Sequence, residues 1–372
     1  MTCCVAILNR FGAALAADTA VTLETNPPKI FHNHAKLFRY PHEPVALMVA
    51  GNGGILNVPW PVIMERYFAA RAPGERFDTL NEYWDDLMRF IGSAEDLFPP
   101  EIQAKRLLLA MKELWDELSV EGMIDGSPDR DFNDDLQQVV DADREACRKW
   151  PRLEGRSEFE AQAVVARHKE ALEELMAEIF PMIELSARSK TALLETAEDY
   201  LTYARSRNSE ILLVGMGERD VFPRYIRGYT GAVIDGVVKR ARLSSAAIDH
   251  ENPIIVAPLG ERSTIDTLID GIHPTLRSRL PEIFIENLHG AANGAGVSID
   301  TADALGAFNE RLDGMIRGWH SDAMLSGLEA QSAEDLRESA RWMVDTTARM
   351  AWLNVQRPGD VGGRIDVEIL TR

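Results

Sequence analysis

The chain has 372 residues, 45% hydrophobic and 27% charged, which is the composition of an ordinary globular protein of one large or two modest domains. That excludes a disordered chain, a collagen-like repeat and a disulfide mini-scaffold. The 59 acidic and 40 basic residues leave a net charge of −19, and without a basic patch a phosphate backbone would be repelled, so no nucleic acid is expected as a partner.

The three cysteines, Cys3, Cys4 and Cys147, match neither zinc-finger spacing nor a secreted framework, which points to a reducing, cytoplasmic setting. The opening MTCCVAILNRFGAALAADTA lacks the basic start and unbroken apolar stretch of a secretory leader. No apolar run approaches the roughly 18 residues that a membrane helix needs, so a soluble protein without a membrane partner is expected.

Residues 3–8 (CCVAIL) and 13–17 (AALAA) flank the turn-forming NRFG and predict a hairpin. A second hairpin is predicted from KLFRY (36–40), a PHEP turn and VALMVAG (45–51), closing on Gly51-Asn52-Gly53-Gly54. From 59 to 209 the chain turns to amphipathic stretches such as EIQAKRLLLAMKELWDEL (101–118), a helical block with an exposed loop at Glu121–Asp135. Strands return at 210–217, 223–231, 232–241 and 252–260; helices are predicted at 263–288 and 333–356, and GGRIDVEILTR closes as a strand. Strands at both ends of a helical excursion indicate one α+β core, 1–58 and 210–372, interrupted by a helical insertion at 59–209.

Thr2 is the first candidate for chemistry. Removal of Met1 would put a hydroxyl and a free α-amino group on one residue, a nucleophile carrying its own base, with an amine pKa of about 7.7–8.0. Pairing residue 8 with 13 sets opposite residues at an index sum near 21, so Thr2 faces Asp18 and Thr19. Pairing 40 with 45 gives a sum near 85, which sets Lys36 against Val49 and leaves Gly51 just beyond. Lys36, held by Asp18, would then lower the pKa of the Thr2 hydroxyl, and the Gly51 amide would donate to an oxyanion. On this geometry alone a surface salt bridge and a tight turn account for the same residues, and threonine at position 2 is commonplace.

The segments MTCCVAILNRFGAALAADTAVTL, KIFHNHAKLFRY and VALMVAGNGG resemble the start of proteasome β-type subunits and of bacterial proteasome-like peptidases, members of the N-terminal-nucleophile hydrolase superfamily. In that family an N-terminal threonine is followed by a hairpin, an acid after a pair of small residues, a lysine opening the third strand, and an Ala-Gly turn that supplies the oxyanion amide. Those positions fall here on Thr2, Asp18, Lys36 and Gly51. GMGERDVFPRYIRGYTGAVIDG is similar to the family's central hairpin, and PGDVGGRIDVEILTR to its closing turn and last strand.

The resemblance implies a four-layer α-β-β-α sandwich carrying a large helical insertion, with no cofactor and no metal. It implies a threonine-type peptidase that cleaves amide bonds through an acyl-enzyme on Thr2. The partners it implies are a peptide or protein substrate, further copies of the chain in a homo-oligomer, a ring included, and an ATPase or regulatory partner. Where the family's closing turn brings an aspartate and a serine to the threonine, this chain has Pro358 and Val361; Asp360 and Ser263 are the auxiliary candidates. A catalytically silent scaffold or partner-binding protein and a small-molecule amidase are the alternatives.

Other signals carry less. DRDFND (129–134) lacks the glycine and glutamate of a calcium loop, Gly215-Met216-Gly217 lacks a third glycine, and His32 and His34 lack a third ligand. Cys3 is read as a packing residue, because neighbouring strand side chains point to opposite faces. Asn287–Gly296 is read as a helix end and loop.

Overall fold

The computed structural model describes residues 2–23, 29–72, 74–124, 131–205, 209–295, 301–354 and 361–372. The chain opens with two hairpins, β1 (Cys3–Asn9) with β2 (Gly12–Asp18) and, after the ribbon β3 (Ala20–Leu23) and β4 (Lys29–His32), β5 (Leu37–Arg39) with β6 (Val45–Ala50). The short pair β7 (Gly54–Ile55) and β8 (Val58–Pro59) leads into α1 (Trp60–Ala70) and α2 (Leu80–Ser93). Five helices follow: α3 (Pro100–Ile124), α4 (Phe132–Cys147), α5 (Glu158–Arg167), α6 (Lys169–Ile179) and α7 (Ala187–Thr202). Strands β9 (Ser209–Gly215), β10 (Arg224–Ile234), β11 (Val237–Ala247) and β12 (Ile254–Gly260) come next. The chain ends with α8 (Ser263–Asp270), α9 (Pro274–Ala295), α10 (Thr301–Ile316), a π-helical turn at Arg317–Ser321, α11 (Asp322–Glu329), α12 (Ala333–Leu353) and β13 (Ile365–Leu370).

One antiparallel sheet has the order β12-β1-β2-β13 and a second the order β11-β10-β9-β6-β5. Leu8 pairs with Ala13 and Leu37 with Met48, so both hairpins take the register that their spacing predicts. Strands β1 and β2 are buried along their whole length, which is why they read as continuous apolar runs rather than alternating ones. Their two faces serve different cores. Cys4, Ala6, Leu8 and Leu15 pack with Ala46, Met48, Leu212 and Val214 of the second sheet, while Val5, Ile7 and Ala16 pack with Leu336, Ala340 and Val344 of α12. The far face of the second sheet, with Val45, Leu47, Ile211 and Leu213, buries Trp60, Met64, Trp84 and Leu87 of α1 and α2.

Helices α3–α7 build a separate core around Trp115, Leu136, Leu172, Leu193 and Leu201, which also takes in Ile234 at the end of β10. Helices thus occupy most of 60–202, and the first two cover the second sheet. The helix starts are local: Ser157 and Glu160 form a reciprocal capping box on α5, and Asp131 caps α4.

Some boundaries differ from the sequence reading. The strands expected at 223–231 and 232–241 are divided at Asp235-Gly236 instead, both with positive φ (47° and 72°), because Asp-Gly suits a tight hairpin turn. The helix expected over 263–288 is broken at Gly271, which closes α8 in the left-handed conformation. Asn287–Ala295, expected as a helix end and loop, belongs to α9, and the loop expected at Glu121–Asp135 is helical at both margins; 125–130 lie outside the described residues. Among the described residues no helix is long and apolar enough to cross a membrane.

Candidate active site at the start of the first strand

Asp18 ends β2 beyond the Cys4–Ala17 pair, which places it opposite the start of β1. It is fully buried, and its carboxylate is satisfied by four donors. Oδ1 accepts from the Cys3 amide at 2.9 Å and from Lys36 Nζ at 2.7 Å; Oδ2 accepts from the amides of Ala20 at 3.2 Å and Gly362 at 3.0 Å. Lys36 is buried too and also donates to the Ala20 carbonyl. A buried charge pair persists only when hydrogen bonds replace the lost water, and this one is so supplied. The ammonium group is therefore linked through Asp18 Oδ1 to the amide of Cys3, the residue after Thr2.

Thr2 is half-buried, and its carbonyl accepts from the Glu261 amide at 2.6 Å, which extends the β1–β12 ladder by one pair. Gly260 makes this approach possible: it has φ +77°, and a Cβ there would lie 2.1 Å from the Thr2 oxygen. The same Cβ position is 3.4 Å from the Ala50 side chain, so the end of β6, with Gly51 next in the chain, meets the rim where Thr2 begins. Thr2, Asp18, Lys36 and the Ala50-Gly51 turn thus converge from three strands and one loop.

Ser263 stands first in α8, and its hydroxyl donates to Glu261 Oε1, which also receives the Ser263 amide at 3.2 Å. Ser263 therefore holds Glu261, the residue opposite Thr2. Glu261 escaped the sequence reading because its place depends on which distant strand lies beside β1; its position two residues before Ser263 was the one available signal. The closing turn contributes backbone as well. Gly362 donates to Asp18, and its carbonyl accepts from Thr19 and Ala20. Val361 is buried against α12, whereas Pro358 and Asp360 lie outside the described residues.

Burial pushes the Cys3 thiol up to about 12, so at neutral pH it is not a thiolate, and its side chain packs in the α12 core. His32 and His34 are exposed, and among the described residues no group of three His, Cys, Asp or Glu side chains is placed to hold a metal ion.

No protein-family model and no curated protein sequence matches the chain. Solved structures similar to it include the Anbu (Gly-1) mutant from Hyphomicrobium sp. strain MC1, at 12% identity and a TM-score of 0.25, over 73% of this chain and 65% of that one. The chain thus spans slightly less than two thirds of that protein's length. Another is Anbu, described as an ancestral β-subunit, from Yersinia bercovieri, at 11% identity and a TM-score of 0.33, over 99% of this chain and 81% of that one. At these values the likeness is distant, and the chemistry of the site rests on its own geometry.

Proposed function

We propose that the chain is an N-terminal threonine hydrolase of the proteasome-like kind, cleaving amide bonds of peptides through an acyl-enzyme on Thr2. In this reading the two facing sheets and their outer helices form the four-layer sandwich of N-terminal-nucleophile hydrolases, with 59–209 as the helical excursion from it. The observation that carries the reading is the buried Lys36–Asp18 pair, 2.7 Å apart, at the start of the strand that Thr2 opens.

With Thr2 as first residue, its α-amino group takes the hydroxyl proton, directly or through a water, as Oγ1 attacks the substrate carbonyl. The Lys36 ammonium favours the developing alkoxide, and the Gly51 amide donates to the oxyanion. Collapse breaks the C–N bond, the amine leaves with the proton, and an ester to Thr2 remains. Water, deprotonated by the same α-amino group, then attacks the ester, releasing the acid and restoring the hydroxyl. Self-association, a ring included, and an ATPase or regulatory partner belong to the same reading.

Val361 favours one competing reading, a catalytically silent scaffold, since it buries an apolar side chain where the resemblance implies a polar partner for the threonine. Intact mass before and after incubation with a peptide epoxyketone, which needs both hydroxyl and free amine to close its ring, separates the two. Loss of Met1 and a single adduct that is absent in Thr2→Ala is the expected result. Retention of Met1 without an adduct would leave the scaffold.

A further inference from the structure

A half-open cavity of about 690 Å3 adjoins the rim just described. One wall is the turn at 52–57, which follows Gly51 directly, together with Ser209 at the start of β9 and Thr230, its pairing partner on β10. That wall is fixed: the Ser209 hydroxyl donates to the Asn52 carbonyl at 2.9 Å and receives the Trp60 indole at 3.2 Å. The opposite wall comes from the helical block, with Lys105 and Arg106 of α3 and Tyr200 of α7.

The charge of this space is unlike that of the molecule around it. The chain carries −19, yet no Asp or Glu lines the cavity, while two cations do. Arg106 is partly engaged, bonded to the Tyr200 side chain and 3.9 Å from Glu113. Lys105 is exposed and makes no ion pair among the described residues. The rest of the α3 wall, Ile102 and Leu109, is apolar and suits methylene groups. Facing the turn beside the oxyanion amide, such a space is complementary to a short aliphatic stem ending in a carboxylate.

We propose that this cavity is a subsite for an acidic side chain, Glu or Asp, of an extended peptide bound at Thr2, with Lys105 and Arg106 of the helical block supplying the countercharge. The proposal rests on the hydrolase reading for its peptide, and it gives the helical excursion a role: α3 and α7 close a pocket that the sheets alone leave open. A solvent-screened contact to one carboxylate, worth about 1–1.4 kcal/mol, changes affinity by about five- to tenfold.

The test uses the full-length Thr2→Ala chain, which cannot turn substrate over, and fluorescein-labelled tripeptides Ala-Ala-Glu, Ala-Ala-Gln and Ala-Ala-Lys, capped as C-terminal amides so that the side chain is the variable charge. Fluorescence anisotropy should show the Glu peptide binding about five- to tenfold tighter than the Gln peptide. That advantage should shrink in high salt and pass to the Lys peptide when Lys105→Glu is added. Lys105 is exposed on α3, so this variant is expected to fold; circular dichroism checks it. Equal affinity for Glu and Gln peptides, or a preference untouched by Lys105→Glu, overturns the subsite. An acidic preference that depends on Lys105, in a chain whose Thr2 takes no epoxyketone, would uphold the subsite and remove the hydrolase reading. An adduct on Thr2 without acidic preference would do the reverse.

Discussion

Two residues of opposite charge flank Thr2: Lys36, linked through Asp18 to the Cys3 amide, and Glu261, whose backbone amide donates to the Thr2 carbonyl. A carboxylate favours the ammonium form of a neighbouring amine and so delays its release as a base. Replacing Glu261 by Gln removes that charge while keeping an acceptor for Ser263. The expected outcome is an acidic limb of the pH–rate profile for epoxyketone adduct formation that lies at lower pH than in the parent. A uniformly lower rate with an unmoved limb would make Glu261 a structural residue instead.

Lys239 is a different case, because it lies in the core of the fold and not at the site. Its amine is fully buried, has no hydrogen-bond partner among the described residues and sits 3.1 Å from the centroid of the Tyr200 ring. Burial pushes the ammonium well below its ordinary 10.5; Cys147 opposes this, and Arg106, Arg156 and Arg205 add to it. A depressed lysine binds fewer protons folded than unfolded, so stability rises with pH between the two values. Lys239→Met should therefore stabilise the chain by about 1–3 kcal/mol at pH 7, the cost of an unsatisfied buried polar group. The gain should shrink as pH climbs toward 10.5, which urea unfolding at several pH values measures.

At the scale of elements, contacts between backbones outweigh propensity. Gly92, in the last turn of α2, lies against the β10–β11 turn, and a Cβ there would meet the Gly236 carbonyl oxygen at 2.6 Å. Helix propensity alone favours alanine by roughly 1 kcal/mol. Here the close approach reverses the sign, because neither partner is the movable end of a side chain. Gly92→Ala should destabilise by about 1–3 kcal/mol in chemical unfolding, the cost of overpacking; a stabilised variant would show that α2 shifts freely on the sheet.

Much at this scale was open to reading from sequence. The hairpins of β1–β2 and β5–β6 are set by short turns between apolar runs, and their register fell where residue spacing predicts. The division of β10 from β11 was carried by Asp235-Gly236, a local signal weaker in the sequence than the long apolar run around it. That α1 and α2 cover the second sheet while α3–α7 keep their own core was not legible, since both groups show the same amphipathic pattern.

For the molecule as a whole, charge and apolar surface pull in opposite directions. Each chain carries −19, while Trp342, Met350 and Leu353 of α12 and Trp319 of the π-helical turn stand exposed. Apolar side chains gathered on one element favour association, and like net charge resists it over a screening length of about 30 Å at 0.01 M salt and 10 Å at 0.1 M. Sedimentation equilibrium should therefore show a mass that grows as salt rises from low to physiological strength. Assembly that weakens with salt would mean that ion pairs hold the copies together instead.

The sequence by itself determined the two N-terminal hairpins and set Thr2 beside Asp18, because a short turn fixes which residues of adjacent strands lie opposite each other, whereas the Lys36–Asp18 contact joins two different sheets. Tertiary structure alone decided that Glu261 and Gly362 reach the same rim, that Ser263 serves Glu261, and that α3 walls a cation-lined cavity beside Gly51. Those juxtapositions join segments far apart in the chain. No local period encodes them, and they follow only from which strands pair and which helix faces find a common core.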